Sequence, residues 1–246
     1  GRKPLKLNRA YDGMSSIEES QNRYDQMKKT IEYLNVMPII QLMIEDIEAD
    51  DVIAYVCRMP SLRENVKIIV SMDKDFYQLC DDKTMIYSPV KNEFLNKKRI
   101  LDQFSIHPNN FAIARAIDGD KSDNLDGVRG AGLKTIAKNF SFLSEEKSCT
   151  LDDLFSFCRK SDSGHKIFKN IISEKNKVEL NYKLMQLYSP HISVKSSQHI
   201  NNTVTNFKPS FNRTEVLKMM SLDGIHEFNW NSLFQKFRSL IDTNKH

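Results

Sequence analysis

Carboxylate side chains are concentrated in three short clusters along this chain. The clusters are Glu48-Ala49-Asp50-Asp51, Asp73-Lys74-Asp75 and Asp120-Lys121-Ser122-Asp123. Carboxylates held close together repel one another unless protons or cations lie between them. Oxygen ligands without cysteine or histidine favour Mg²⁺ or Mn²⁺ over zinc. The clusters therefore predict a site for hard divalent cations, which can activate a water and stabilise the leaving oxygen in phosphodiester hydrolysis.

Each cluster taken alone also has a purely structural explanation. The acids at 48–51 would cap the start of a helix and complement its dipole. The acids at 73–75 would form a solvated loop after a strand, and those at 120–123 would belong to a turn. The order of the three clusters in one chain favours the metal hypothesis.

A glycine-rich segment follows the third cluster. Four of the eight glycines lie within fourteen residues: Gly119, Gly127, Gly130 and Gly132. The segment 127–135 runs into a predicted helix, and a helix N-terminus can hold a phosphate through its backbone N–H groups. Lys134 adds positive charge, while the spacing of a Walker phosphate loop is absent. The pattern predicts sequence-independent contact with a nucleic-acid backbone, and a plain turn between helices is the alternative.

The elements that must position the first two clusters alternate between helix and strand. Apolar spacing predicts a helix over 15–35, a short strand over 38–43 and a helix from 50 to 58. The run at 66–70 is rich in β-branched residues and predicts a strand buried on both faces of a parallel sheet. Because a further strand is expected at 85–87, the first part of the chain predicts an α/β domain with a parallel sheet.

From about residue 100 the pattern is mostly helical. Helices are predicted at 111–117, 133–140, 151–159, 165–188 and 213–220, with a polar loop around 193–206. Trp230, Phe234 and Phe237 lie at helical spacing, which is typical of a core or a docking face. This part predicts a second, helical subdomain.

Composition and charge narrow the class of protein. The chain has 246 residues, of which 40% are apolar and 28% charged, as in folded globular proteins. The net charge of +4 does not by itself establish a nucleic-acid partner. The longest apolar run, 36–44, is too short for a membrane helix. Four scattered cysteines and the absence of an apolar signal region predict reduced thiols and a cytoplasmic location.

Taken together, the motifs at Glu48–Asp51, Ser71–Leu79 and Gly119–Thr135 resemble the structure-specific 5′ nuclease (flap endonuclease) family. They cover roughly residues 45–140. The family includes the 5′ nuclease domain of bacterial DNA polymerase I and the phage flap endonucleases and ribonucleases H. This chain is most similar to a free-standing phage 5′-3′ exonuclease or ribonuclease H of the T-even type. The resemblance implies a PIN-like nuclease core at 1–100, and a helix-hairpin-helix DNA-binding subdomain with a helical C-terminal region at 101–246.

The resemblance also implies a set of metal ligands and catalytic residues. Two Mg²⁺ (or Mn²⁺) ions are expected, the first near Glu48, Asp50 and Asp73 and the second near Asp75, Asp120 and Asp123. Asp51 is expected to support them.

A nucleic-acid interface follows from the same resemblance. Residues expected to contact the duplex backbone are Gly130, Ala131, Gly132, Leu133, Lys134 and Thr135, while Lys74 or Arg2 would help stabilise the phosphate. Backbone carbonyls expected to hold a K⁺ ion are those of Ile117, Asp118, Asp126, Val128 and Ala131. Ala131 and Asp126 depart from the family pattern, which usually has Ile or Val and often Pro at these positions.

The front of the chain departs further from the family. Arg2, Lys3, Lys6 and Arg9 resemble the middle of the basic arch that threads single strands. The family carries one Asp in its first strand and another just before the arch, and neither is found in this chain. The N-terminal part of the nuclease core, with two ligands of the first metal site, is therefore expected to be missing.

Two functions stay open on this evidence. The leading one is a Mg²⁺-dependent nuclease that removes 5′ flaps or RNA primers during DNA replication. The alternative is a catalytically impaired, structure-specific fragment that binds duplex DNA. A DxD-type phosphatase is disfavoured, because Asp73-Lys74-Asp75 comes late in the chain and is followed by Phe76-Tyr77.

The expected partners follow from the leading function. They are branched or flapped DNA and RNA–DNA hybrid, and the resemblance also allows a single-strand-binding protein or a sliding clamp. A monomer without a membrane partner is expected, in the host cytoplasm if the chain is phage-encoded.

Overall fold

The computed structural model describes residues 17–161, 165–225 and 229–243, which form parts of two compact units. Unit 1 contains the described residues from 46 to 192, and unit 2 contains those from 17 to 45 and from 193 onward. The predicted arch residues Arg2, Lys3, Lys6 and Arg9 lie outside the described residues. The predicted domain boundary near residue 100 falls inside unit 1, where the sheet and the helices after it share one core.

The helices and strands are named in chain order. The helices are α1 (Ile17–Asn35), α2 (Ala49–Cys57), α3 (Lys97–Phe104), α4 (Pro108–Asp118), α5 (Leu133–Asn139), α6 (Leu151–Lys160), α7 (Lys166–Ser173), α8 (Lys175–Met185), α9 (Val194–Thr205), α10 (Arg213–Leu222) and α11 (Trp230–Thr243). The strands are β1 (Lys67–Val70), β2 (Thr84–Ser88), β3 (Glu93–Leu95), β4 (Gly119–Asp120) and β5 (Leu125–Asp126). Short 3-10 helices cover Pro60–Leu62, Lys74–Leu79, Lys121–Asp123 and Ser141–Ser144.

A mixed three-stranded sheet in the order β1-β2-β3 forms one part of unit 1. Strands β1 and β2 are parallel, with Ile69 opposite Ile86, and β2 and β3 are antiparallel, with Ile86 opposite Leu95. Helices make up most of the rest of the unit, so the predicted α/β class is confirmed. The parallel pairing was predicted, whereas the antiparallel strand β3 was not.

The prediction that β1 is buried on both faces is wrong. Ile69 is buried, but Ile68 is 51% exposed and Val70 is 65% exposed. The physical reason is that β1 contacts the core only through the face that carries Ile69, while the opposite face, with Ile68 and Val70, is exposed. A run of β-branched residues indicates a strand but does not show how many of its faces are covered.

Helix α4 forms the centre of unit 1 and leads into the third carboxylate cluster. Pro108 starts the helix, where its missing N–H costs nothing, and the His107 side chain accepts a hydrogen bond from the Asn109 N–H. The helix packs against α8 and against the 3-10 helix at 74–79. Phe111 is fully buried, with its ring centroid 5.2 Å from that of Tyr77. Because α4 is anchored on several sides, its C-terminal end is held firmly in place.

Unit 2 contains α1 and the last three helices, α9 to α11. The Tyr33 hydroxyl donates to the Asp223 carboxylate, which joins α1 to the end of α10. Phe234 is buried, and its ring stacks on those of Phe211 and Trp230. The predicted aromatic spacing on the last helix therefore serves the core of this unit.

Three sequence predictions of secondary structure are wrong. Residues 38–43 form no strand, and the predicted polar loop at 193–206 is largely helix α9, capped by Ser193. This helix was missed because it buries little apolar surface, with Ile200 as its fully buried residue. The predicted helix at 165–188 is two helices, α7 and α8, which meet at Glu174. None of the helices in the described ranges combines the length and apolar content required to cross a membrane.

Candidate metal centre

The second and third carboxylate motifs meet in unit 1. Oxygen atoms of Asp75, Asp120 and Asp123 all lie within 4.8 Å of one another. Asp75 and Asp123 are buried, and the Asp75 side chain belongs to the 3-10 helix that follows β1. Together with Arg115, described below, these three acids are called the Arg115 cluster.

Local capping fixes the backbone of both motifs. The Asp73 carboxylate accepts a hydrogen bond from the Asp75 N–H at 2.9 Å and so begins the 3-10 helix at 74–79. The Asp120 carboxylate accepts from the Ser122 N–H at 2.8 Å and from the Ser122 hydroxyl at 2.6 Å. Acidic residues favour such caps because their side chains satisfy backbone donors that the helix leaves unpaired. The structural explanation of these acids is therefore correct, and it also orients Asp75 and Asp120.

Arg115 lies within this cluster, with only 6% of its side chain exposed. Its Nε donates to Asp75 Oδ1 at 2.8 Å, and its Nη2 donates to Asp120 Oδ2 at 2.6 Å. Its Nη1 donates to Asp118 Oδ2 at 3.3 Å and to the Gly119 carbonyl at 3.0 Å. Arg115 was not predicted as a site residue, although a single cation inside the apolar run at 111–117 was a usable signal. Such a buried cation needs anionic partners nearby.

The pKa values of this cluster reflect burial opposed by pairing. Burial raises the pKa of Asp75 to about 6, although the charge and hydrogen bond of Arg115 act in the opposite direction. Burial would also raise the pKa of Asp120, but hydrogen bonds from Ser122 and the charge of Arg115 bring it below its usual value. Burial works against the charge of Arg115, yet Asp75 and Asp120 raise its pKa. Arg115 and Asp120 therefore form an ion pair in a largely buried position.

A second group of carboxylates lies at the start of α2. Oxygen atoms of Glu48, Asp50 and Asp51 lie within 4.8 Å of one another, and this group is called the α2 cluster. Asp51 is buried, and the Asp50 carboxylate accepts from the Asp51 N–H at 2.9 Å. Asp51, which was expected to support the ligands, lies in the same group as Glu48 and Asp50. Asp73, which was expected beside Glu48 and Asp50, caps the 3-10 helix at 74–79, and its part in the first metal site stays a prediction.

An open cavity of about 600 Å³ lies beside the Arg115 cluster. Its wall includes Asp73, Asp120 and three cationic side chains, those of Lys74, Arg115 and Lys121. Lys74 was expected to help stabilise a phosphate, and this role stays a prediction. A cavity with both acids and cations on its wall suits a ligand that carries negative charge together with cations.

The glycine-rich segment is fixed to the end of α4 by backbone contacts. Gly119 has φ +77° and lies so close to Gly127 that a side chain at either position would collide with the backbone of the other segment. The Val128 N–H donates to the Ile117 carbonyl at 2.8 Å, and the Ala131 N–H donates to the Val128 carbonyl at 3.1 Å. Two glycines therefore allow the close approach that holds Asp120 beside Asp75.

The predicted potassium ligands are partly engaged in hydrogen bonds. The carbonyls of Ile117 and Val128 accept the backbone bonds just described, and the Asp126 carbonyl accepts from the Asn181 side chain at 3.0 Å. Since each carbonyl has two lone pairs, these bonds leave room for a second partner. The K⁺ site stays a prediction.

The predicted DNA-contact residues lie at the start of α5. Gly132 precedes the helix, Lys134 is exposed, and Leu133 and Thr135 are partly buried. Gly130 is exposed with φ +79°, and no atom lies within 4 Å of the position that a Cβ would occupy. Ala131 is buried, so its side chain contributes to the core.

The chemistry of the donors tests the predicted metal. Both clusters offer carboxylate oxygens and neither contains sulfur or imidazole, which suits Mg²⁺ or Mn²⁺ better than softer ions. The residues present therefore fit a divalent cation.

Comparison with known proteins agrees with this chemistry. Residues 15–105 match the family model described as 5′-3′ exonuclease, N-terminal resolvase-like domain. A 5′-3′ exonuclease of Aquifex aeolicus is 31% identical over 161 residues, covering 64% of this chain and 51% of the relative. Flap endonuclease Xni of a Shewanella species is 30% identical over 156 residues, covering 63% of this chain and 57% of the relative. The chain spans about half the length of these curated relatives.

A solved structure shares the fold. It is a flap endonuclease of bacteriophage T5 in a pseudo-enzyme-product complex with DNA and metal ions. The TM-score is 0.64 at 18% identity, and the match covers 89% of this chain and 78% of that chain. These comparisons confirm the PIN-like α/β fold and the resemblance to the 5′ nuclease family that the motifs predicted. The finer placement with the T-even enzymes stays a prediction.

Proposed function

We propose that this relative of the 5′ nucleases is a metal-dependent, structure-specific 5′ nuclease that hydrolyses phosphodiester bonds in 5′ flaps or RNA primers during DNA replication. The observation that carries the proposal is the convergence of Asp75, Asp120 and Asp123 beside a cavity whose wall carries both acids and cations. The matching relatives are named 5′-3′ exonuclease and flap endonuclease, which supports the same reaction.

Seven acids make up the proposed metal-binding and catalytic set. They are Glu48, Asp50, Asp51, Asp73, Asp75, Asp120 and Asp123. Bound to them, two Mg²⁺ or Mn²⁺ ions would supply Lewis acidity and a lowered pKa for water. Asp75 and Asp123 support this role through burial, because hydrogen-bonded and partly desolvated carboxylates are held in fixed positions.

The cations of the cavity wall serve the substrate. Lys74 and Lys121 place positive charge beside Asp120, where a backbone phosphate of the nucleic acid would enter. Such contacts bind phosphate without reading the base, as a structure-specific nuclease requires. Asp73 holds the turn that carries Lys74, so it orients that side chain in addition to any contact with an ion.

The start of α5 is the proposed second contact with the nucleic acid. Gly130 to Thr135 would approach the duplex backbone, because Gly130 leaves open space and Lys134 is exposed. Branched or flapped DNA and RNA–DNA hybrid would therefore be held at two points. A K⁺ ion on the carbonyls of Ile117, Asp118, Asp126, Val128 and Ala131 belongs to this proposal.

Other partners and the location are further parts of the proposal. A single-strand-binding protein or a sliding clamp, a monomeric state and a cytoplasmic location follow from the resemblance alone. They await measurements of complex formation and molecular mass.

Cleavage of a labelled 5′-flap duplex tests the proposed function. With Mg²⁺ the chain should release the flap, and both EDTA and the double variant Asp75→Ala, Asp120→Ala should abolish release. The matched control is Asp102→Ala, Asp152→Ala, which removes two exposed acids outside both clusters and should cleave like the wild type. Duplex binding that weakens with salt, without cleavage in Mg²⁺ or Mn²⁺, would overturn the nuclease and support the DNA-binding alternative.

A further inference from the structure

Arg115 is placed where a cation would be expected to bind. Its guanidinium bridges Asp75 and Asp120, two of the three acids that the proposed function assigns to one metal site. It also contacts Asp118 and the Gly119 carbonyl, so four acceptors surround one side chain. Neither the motifs nor the comparisons assign a role to this residue.

We propose that Arg115 is a positioning residue that acts as a built-in counter-cation. It holds Asp75 and Asp120 together when no divalent ion is bound, and it lowers the affinity of the cluster for such an ion. The proposal rests on the proposed function of the Arg115 cluster as a metal site. In this role Arg115 sets the concentration of divalent ion at which the site fills.

Burial explains why the cluster needs a cation when it is empty. Asp75 is 4% exposed, and a carboxylate in such a position is unstable unless it is paired. Asp120 lies beside it and carries the same charge, so the two acids would repel each other. The planar guanidinium reaches both at 2.6 and 2.8 Å, which a compact ammonium does less well.

The same placement opposes a divalent ion. Asp75 Oδ1 and Asp120 Oδ2 already accept Arg115, so an ion on these acids must share their charge with the guanidinium. Two cations on the same carboxylates repel each other, and the burial of Asp75 and Arg115 reduces the screening of this repulsion by solvent. Removal of the guanidinium charge should therefore strengthen the binding of the divalent ion. It should also lower the stability of the ion-free protein.

The test is calorimetric titration of metal-free protein with Mn²⁺, together with thermal unfolding with and without the ion. Arg115→Met should bind Mn²⁺ at least about tenfold more tightly than the wild type, because a neighbouring positive charge has been removed. Its melting temperature without ions should fall, while the increase on adding Mn²⁺ should be larger than in the wild type. A purely structural role would lower stability and leave ion affinity unchanged or weaker.

Two further variants control the measurement. Arg115→Lys keeps the charge, so its affinity for Mn²⁺ should stay within about threefold of the wild type, since the repulsion persists. Arg99→Met makes the same substitution at an arginine whose partner is Glu93, outside the cluster, and should leave Mn²⁺ binding unchanged. If Arg115→Met does not fold without ions, recovery of its helical circular dichroism is titrated with Mn²⁺. Recovery at or below the wild-type dissociation constant supports the proposal, and no recovery at any concentration contradicts it.

The result is separable from the proposed function. Unchanged or weaker Mn²⁺ binding by Arg115→Met, in a protein whose wild type cleaves flaps, would overturn the role of Arg115 and leave the nuclease intact. Tighter binding by the variant, in a protein that cleaves no flap, would support Arg115 and overturn the nuclease. Absence of Mn²⁺ binding by both proteins would overturn the role of Arg115.

Discussion

The α2 cluster and the Arg115 cluster each gather three carboxylates, yet they are assembled in different ways. Glu48, Asp50 and Asp51 lie within one turn at the start of a helix. The acids of the Arg115 cluster come from the turn after β1 and from the short β4 segment and its following turn. The α2 cluster therefore depends on a helix start, whereas the Arg115 cluster depends on tertiary structure and on a buried cation.

The two clusters therefore differ in the free energy needed to hold their acids together. Acids at the first turn of a helix are favoured by the helix dipole even without a ligand. Acids brought together from separate segments are opposed by their mutual repulsion and by burial, and Arg115 offsets both. Substitutions in the two clusters should consequently have similar effects on catalysis and different effects on stability.

The largest expected effect is on cleavage, where the two clusters should behave alike. Glu48→Gln with Asp50→Asn, and Asp75→Asn with Asp120→Asn, should each lower flap cleavage at least about a thousandfold, since even residues behind metal ligands cost 10- to 100-fold. Single-turnover rates with saturating enzyme measure the loss. If either double variant keeps more than a tenth of the wild-type rate, its cluster is not catalytic, and the two clusters do not act alike in cleavage.

The next largest effect concerns the backbone that holds Asp120. Gly119→Ala should destabilise the protein by more than about 3 kcal/mol, because φ is +77° and the new Cβ would collide with the 125–127 backbone. Urea unfolding at pH 7 gives the free energy. Gly130→Ala is the matched control, since its φ is +79° but its surroundings are open, and it should cost about 1 kcal/mol. Equal costs would show that the close approach at Gly119 is unimportant.

A smaller effect separates single acids of the two clusters. Asp120→Asn should destabilise the metal-free protein by about 2 kcal/mol, because it weakens charged hydrogen bonds with Arg115 and Ser122. Asp50→Asn should cost about 0.5 kcal/mol, since the neutral amide loses the interaction of the charge with the helix dipole but can still accept the hydrogen bond from the Asp51 N–H. Urea denaturation in EDTA measures both. A larger cost for Asp50→Asn would reverse the comparison.

The smallest effect is a pH dependence that belongs to the Arg115 cluster. The pKa of Asp75 is raised to about 6, so the folded protein takes up a proton more readily than the unfolded chain. The resulting stability is fully present below the unfolded pKa and is lost as pH rises through about 6. From pH 7 to pH 5 the metal-free wild type should gain about 1 kcal/mol relative to Asp75→Asn. The same relative stability at both pH values would contradict this assignment.

The acids of the site, and the grouping of Asp75 with Asp120 and Asp123, could be predicted from the sequence and its resemblance, whereas the pairing of these acids with Arg115 could not. Asp75, Asp120 and Asp123 lie in short motifs whose residue types already suggest hard-cation ligands. Their partner Arg115 lies on α4, so the pairing depends on the position of this helix. That position is set by packing against α8 and by the contact between Gly119 and Gly127. Tertiary contacts of this kind leave no periodic signal in the chain.

The errors in the fold have a related cause. The run containing Ile68 and Val70 correctly predicted a strand, but the elements that pack on each face of the sheet determine how much of it is exposed. Helix α9 was predicted as a loop because its sequence is mostly polar, although Ser193 provides an N-cap. Local capping signals deserved more weight there than hydrophobic spacing.

The central claim, that both clusters bind divalent ions, is tested most directly by diffraction from crystals grown with Mn²⁺. Anomalous difference maps collected at the manganese edge locate the ions independently of activity. The account predicts peaks between Asp75, Asp120 and Asp123 and between Glu48, Asp50 and Asp51. A map that lacks the peak at one or both clusters, at an Mn²⁺ concentration that supports cleavage, would contradict this claim.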